Sequence, residues 1–118
     1  MRAKLKNPAE NEADELFSMV NLSPRLTGLP MTVWVSPRGL ARHDVRIKVN
    51  LAHGRRMTIH DAAVVTVSPS PQGLSGQFPP ADLQAVSAWI RLNEAALVDY
   101  WEFRIDTDEL LQCLRPLP

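Results

Sequence analysis

Residues 45–51 read Val-Arg-Ile-Lys-Val-Asn-Leu, a strict alternation of apolar and polar side chains. A period of two is typical of a β-strand with one buried face and one solvated face. The stretch predicts a strand with aliphatic residues inside and with Arg46, Lys48 and Asn50 on the outer face.

Three further strands are predicted around this one. Residues 31–36 alternate in the same way and place Trp34 on the polar side. Residues 56–60 return after a turn at 52–55, and residues 64–67 form the fourth strand. The segment 68–73 contains two prolines and a glycine, so it predicts an exposed loop.

The second half of the chain predicts helices. Pro79-Pro80 opens a helix whose apolar residues recur at helical spacing as far as Trp101, and Asn93 is a candidate N-cap that divides it in two. Asp106 and Glu109 have the spacing of a capping box before a short helix over 110–114. Strands followed by helices predict an α+β fold, a small antiparallel sheet of about four strands with two or three helices on one face.

The chain is expected to form one domain. Residues 31–118 are predicted as a single α+β domain, and residues 1–30 as an N-terminal arm or short helix plus linker. No apolar run approaches the roughly 18–20 residues of a membrane helix. The single Cys113 excludes an internal disulfide, so a cytoplasmic location is expected.

A spaced set of residues marks the helical half: Gly76-Gln77-Phe78-Pro79, Trp89-Ile90, Asn93-Glu94 and Trp101-Glu102. In this segment the chain resembles a small bacterial family classed as a domain of unknown function, numbered 4160, and a looser similarity extends upstream to residues 29–30. The resemblance implies the fold and a bacterial cytosolic setting, and the family has no assigned activity. His43 matches the first histidine of the family's strand motif, but Arg46 and Lys48 stand at its other two histidine positions.

The net charge of zero hides a division along the chain. Residues 25–56 carry seven basic side chains against one acid, whereas residues 57–118 carry three bases against eight acids. Most of the bases of the first of these two segments lie on the predicted β-hairpin around residues 42–56, called the basic hairpin. Basic side chains concentrated there create a local positive field that the net charge does not reveal.

This hairpin supplies the candidate binding surface: Arg38, Arg42, His43, Arg46, Lys48, Arg55 and Arg56, with Trp34 as a ring that could stack on a base. It predicts a non-enzymatic binding module that engages nucleic acid or an acidic protein partner, without membrane or cofactor. The histidines at 43, 53 and 60 are too widely spaced for a zinc motif, so no metal site is expected.

Two alternatives stay open. In the first, His43 as acid or base and Arg46 as phosphate stabiliser form a metal-free ribonuclease-type toxin of a toxin–antitoxin pair. In the second, the acidic helices meet the basic hairpin in a structural homodimer, so that the charges are used internally.

Overall fold

The computed structural model describes residues 19–38, 44–54, 62–68, 70–75 and 78–118. Its elements, in chain order, are β1 (Val20–Leu22), α1 (Pro24–Thr27), β2 (Met31–Val35), β3 (Arg46–His53), β4 (Ala62–Thr66), β5 (Gln72–Ser75), α2 (Pro80–Trp101) and α3 (Thr107–Cys113). The predicted α+β class is confirmed.

The strands form one antiparallel sheet in sequence order, β1 to β5. It has five strands where about four were predicted. Two of the strands were not predicted: β1 lies within residues 1–30, which were predicted as an arm or short helix plus linker, and β5 overlaps the predicted loop 68–73 at residues 72 and 73. The prolines of that loop precede β5 and remove none of its ladder hydrogen bonds. The predicted third strand at 56–60 lies outside the described residues.

The inner face of the sheet is apolar and packs against α2. Ile47 and Val49 of β3 are at most 2% exposed, and their neighbours across β2 and β4 are equally buried. Trp89, Ile90 and Leu97 of α2 join them in one core cluster. The alternation at 45–49 therefore separates core from outer face as the sequence predicts.

Helix α2 runs without a break for 22 residues, so the predicted division at Asn93 is wrong. Asn93 is 4% exposed, and its side chain does not cap a helix. Its amide donates to the carbonyl oxygens of Trp89 and Arg115, and its Oδ1 accepts from the Arg115 backbone N–H at 2.7 Å. The residue is tolerated inside the helix because the C-terminal segment supplies its partners.

Helix α3 runs back along α2. The Tyr100 and Thr107 hydroxyls lie 2.9 Å apart at one end, and the Asn93–Arg115 hydrogen bonds lie at the other. The predicted capping box of Asp106 and Glu109 is confirmed, although the helix begins at 107 rather than 110. None of the described helices is long and apolar enough to cross a bilayer.

The C-terminal segment closes the fold against α1. The Leu117 N–H donates to the Thr27 carbonyl at 2.7 Å. Gly28 follows α1 with φ of 77°, and a Cβ added there would lie 2.6 Å from the Leu117 carbonyl oxygen. Both the left-handed backbone and the close approach of Leu117 therefore require glycine at this position.

Candidate cationic interface

Arg46 and Lys48 lie side by side on the outer face of the sheet and are called the cationic pair below. Lys48 pairs with Trp34 on β2 and with Val64 on β4, and Arg46 pairs with Thr66. Both are half-buried, while Ile47 between them is buried in the core. Residues two apart on a strand have Cα atoms about 6.6 Å apart, so the two cations are neighbours on the central strand of the sheet.

The cationic pair has no carboxylate partner within the described residues. The ion pairs found there join Arg38 to Glu102 at 3.3 Å, Arg104 to Asp99 at 2.9 Å and His53 to Asp82 at 2.9 Å. The Arg46 Nε–H is in addition buried and has no hydrogen-bond acceptor among the described residues. The described part of the outer face therefore presents two cationic groups, one of which has an unsatisfied donor.

Arg38 differs from the cationic pair because it already has a partner. Its backbone N–H donates to the Trp101 carbonyl at 3.0 Å, and its guanidinium contacts the Glu102 carboxylate. This exposed ion pair ties the end of β2 to the end of α2. Arg38 therefore contributes less positive field than its place in the predicted surface implies.

Trp34 corrects the prediction of an exposed stacking ring. It has the predicted outer-face position, opposite Lys48, and it lies outside the core cluster. It is nevertheless only 8% exposed, and Thr32 on the same face is 3% exposed. A ring on β2 has neighbouring strands on both sides, Asn21 on β1 and Lys48 on β3. Little of its face is left for a base to stack on.

The other predicted members of the surface, Arg42, His43, Arg55 and Arg56, lie outside the described residues. The same holds for the histidine of the ribonuclease alternative, so that its pairing with Arg46 stays a prediction. No group of three or more candidate metal ligands occurs among the residues that the structure describes.

The sequence reasoning missed a histidine–carboxylate pair at the opposite end of the sheet. The His53 Nε2 lies 2.9 and 3.0 Å from the two oxygens of Asp82, in the first turn of α2. The Asp82 side chain is 9% exposed and that of His53 is 56% exposed. The His53 ring makes no other hydrogen bond among the described residues. The pair therefore fastens β3 to α2, and no nucleophile contacts the ring in this part of the chain.

The length of β3 explains why this pair was missed, because the strand continues to His53 where a turn over 52–55 was predicted. The register between β2 and β3 shifts between the pairs Met31–His53 and Val33–Val49. Asn50 lies inside this shift and is 0% exposed, although the alternation predicts it on the outer face. Its amide donates to the Ala52 carbonyl at 3.2 Å. Asn50 remains in register with Ala62 of β4, so it keeps the outer-face position that the alternation predicts and is buried there, as Trp34 and Thr32 are.

Comparison with known proteins adds no relative to this description. The chain matches no family model, no curated protein and no solved structure. The resemblance to the bacterial family of unknown function accordingly stays a prediction from the residues quoted for it.

Proposed function

We propose that the protein is a non-enzymatic binding module that holds the phosphate backbone of a nucleic acid on the outer face of its sheet. The observation that carries the proposal is the cationic pair, two adjacent cations without a carboxylate partner among the described residues. An anionic ligand would supply the charge partners that this part of the chain does not.

The side chains of Arg46 and Lys48 are half-buried, so part of each stays open to an anionic ligand. The Arg46 Nε–H is itself buried, so a phosphate oxygen would accept from the terminal guanidinium nitrogens of Arg46 and from the Lys48 ammonium. These are charge-assisted hydrogen bonds, which are shorter and stronger than neutral ones. Binding of this kind releases condensed counterions and weakens as salt is added.

The exposure of Trp34 supports contact with phosphates rather than with bases. Its ring is 8% exposed, so stacking offers little affinity. We therefore expect binding with little sequence preference, because phosphate contacts position a nucleic acid without reading it. An acidic protein segment would also satisfy the two cations, and the experiment below separates it from nucleic acid.

The test titrates the full chain with a fluorescently labelled DNA duplex, the corresponding single strand and polyglutamate at several salt concentrations. Salt-dependent binding of nucleic acid that exceeds binding of polyglutamate supports the proposal. Binding of polyglutamate alone would identify an acidic protein partner instead. No salt-dependent affinity for either nucleic acid would contradict the proposal.

A pair of double variants locates the binding surface. R46Q/K48Q removes two charges from the sheet, and R91Q/R115Q removes two from exposed positions near the helices. The first should reduce the slope of log affinity against log salt by about 2, because each lost phosphate contact removes about 1. The second should leave the slope unchanged. Thermal unfolding of both variants verifies that the fold is retained.

A further inference from the structure

The turn between α2 and α3 contains a left-handed residue that is not glycine. Phe103 has φ of 62°, and no other non-glycine residue in the described ranges has a positive φ. The Phe103 N–H donates to the Tyr100 carbonyl, and the Arg104 N–H donates to the Asp99 carbonyl at 2.8 Å. These are the two hydrogen bonds of a Schellman motif, with Phe103 at the position that glycine usually occupies.

The packing of the phenyl ring does not explain this choice of residue. Phe103 is 62% exposed, the highest value among the large exposed hydrophobic residues of the described chain. A side chain in the left-handed region is strained, and burial of this ring recovers little of that strain. Phenylalanine at this position therefore lowers the stability of the isolated molecule. Such a residue is expected where its side chain contacts a partner, because the contact offsets the lost stability.

The charges around the ring indicate the chemistry of this partner. Residues 99–109, called the acidic corner below, contain five acids and one base. Asp99 pairs with Arg104 and Glu102 pairs with Arg38. Asp108 is exposed and has no cationic partner in the described residues, and Asp106 and Glu109 serve only the capping box. An exposed aromatic ring among carboxylates favours a partner with cationic side chains, because cations are attracted to the face of the ring and to the carboxylates.

The cationic pair lies at the same end of the molecule as the acidic corner. Trp34 pairs with Lys48 in an antiparallel register, so Ser36, two residues after Trp34, lies beside Arg46. Two residues further on, the Arg38 N–H donates to the carbonyl of Trp101, at the end of α2. One end of the protein thus presents cations on its sheet side and carboxylates with a phenyl ring on its helix side.

We propose that a second copy of this chain docks at this end, with the acidic corner and Phe103 of each copy against Arg46 and Lys48 of the other. A two-fold axis allows both contacts to form at once, because the acidic corner of each copy then faces the cationic pair of the other. Such an interface is complete in a dimer and adds no third copy. The contact goes beyond the proposed function, and nucleic acid would compete with it for the same cations.

Sedimentation velocity of the full chain, without nucleic acid, at about 0.05 M and about 0.5 M salt tests the proposal, because exposed charge pairs are screened at the higher value. We expect a concentration-dependent dimer at low salt that dissociates at high salt. A chain that stays monomeric at both would overturn the proposal, and so would a dimer that is insensitive to salt.

The variant F103G separates an interface residue from a structural one. It should raise the melting temperature by about 4 °C, since it relieves the left-handed strain, and weaken dimerisation at least tenfold. L26A, which truncates an exposed leucine of α1 at the opposite end of the sheet, should leave dimerisation unchanged. Unaltered dimerisation in F103G would refute the role of the ring, while its binding to a DNA duplex tests the proposed function separately.

Discussion

Replacement of Asn93 by serine distinguishes an interior helical residue tied to the C-terminal segment from an N-cap. Serine caps helices about as well as asparagine, so a capping role predicts almost no change in stability. In the structure, the Asn93 amide and its oxygen bond the Arg115 backbone at 2.9 and 2.7 Å. A serine hydroxyl is too short to span that distance, so N93S should detach the C-terminal segment.

The magnitude follows from the lost contacts. Two hydrogen bonds to Arg115 disappear, each contributing about 1 kcal/mol. The part-buried N–H and carbonyl of Arg115 then lose their partners, which adds roughly 1 kcal/mol. The expected loss is about 2–3 kcal/mol in the free energy of unfolding. At about 4 °C per kcal/mol, the melting temperature falls by roughly 8–12 °C.

Urea and thermal unfolding followed by far-ultraviolet circular dichroism measure this loss. N21S is the matched control, because Asn21 is exposed on β1 and its substitution should change stability by less than about 0.5 kcal/mol. If N93S unfolds within about 0.5 kcal/mol of the unmodified protein, the interior role of Asn93 is refuted.

Two further substitutions test the contacts that close the fold. H53A leaves the mostly buried Asp82 carboxylate without its partner and should lower the free energy of unfolding in urea by about 1–2 kcal/mol. H53A/D82N should recover part of this loss because it also removes the buried charge. Equal stability of H53A and the unmodified protein would contradict the pairing. G28A adds a Cβ 2.6 Å from the Leu117 carbonyl oxygen at a φ of 77° and should cost more than about 1 kcal/mol. In a chain that lacks residues 116–118, the alanine should destabilise the protein only through its backbone strain, so the loss of unfolding free energy caused by G28A should be smaller than in the full chain. An equal loss in both chains would show that contact with Leu117 does not cause the destabilisation.

The features predicted correctly from the sequence depend on neighbours in the chain. The alternation at 45–49 determines which face of β3 is buried, and the spacing of Asp106 and Glu109 determines the capping box. Pro80 begins α2 as predicted, because its ring suits the first helical turn. Each of these patterns lies within one element, so no tertiary contact is needed to recognise it.

The features that were missed depend on contacts between distant segments. Asn93 remains in a continuous helix because Arg115 satisfies its side chain. His53 meets Asp82 because the fold brings the end of β3 to the first turn of α2, two segments that are 29 residues apart in the chain. The alternation of apolar and polar residues placed Trp34 correctly on the outer face of the sheet. It could not predict that only 8% of the residue is exposed, because exposure depends on the neighbouring strands.

The most direct test of the proposed interface observes the Arg46 Nε–H by nuclear magnetic resonance during addition of a short DNA duplex. This N–H belongs to the Arg46 guanidinium and has no acceptor among the described residues, so a phosphate oxygen that accepts from the terminal nitrogens of the same group should change its chemical shift at the DNA concentration that saturates binding. We expect the signals of Arg46 and Lys48 to move together and to return when salt is raised. Saturation of binding with both signals unchanged would contradict the proposed interface.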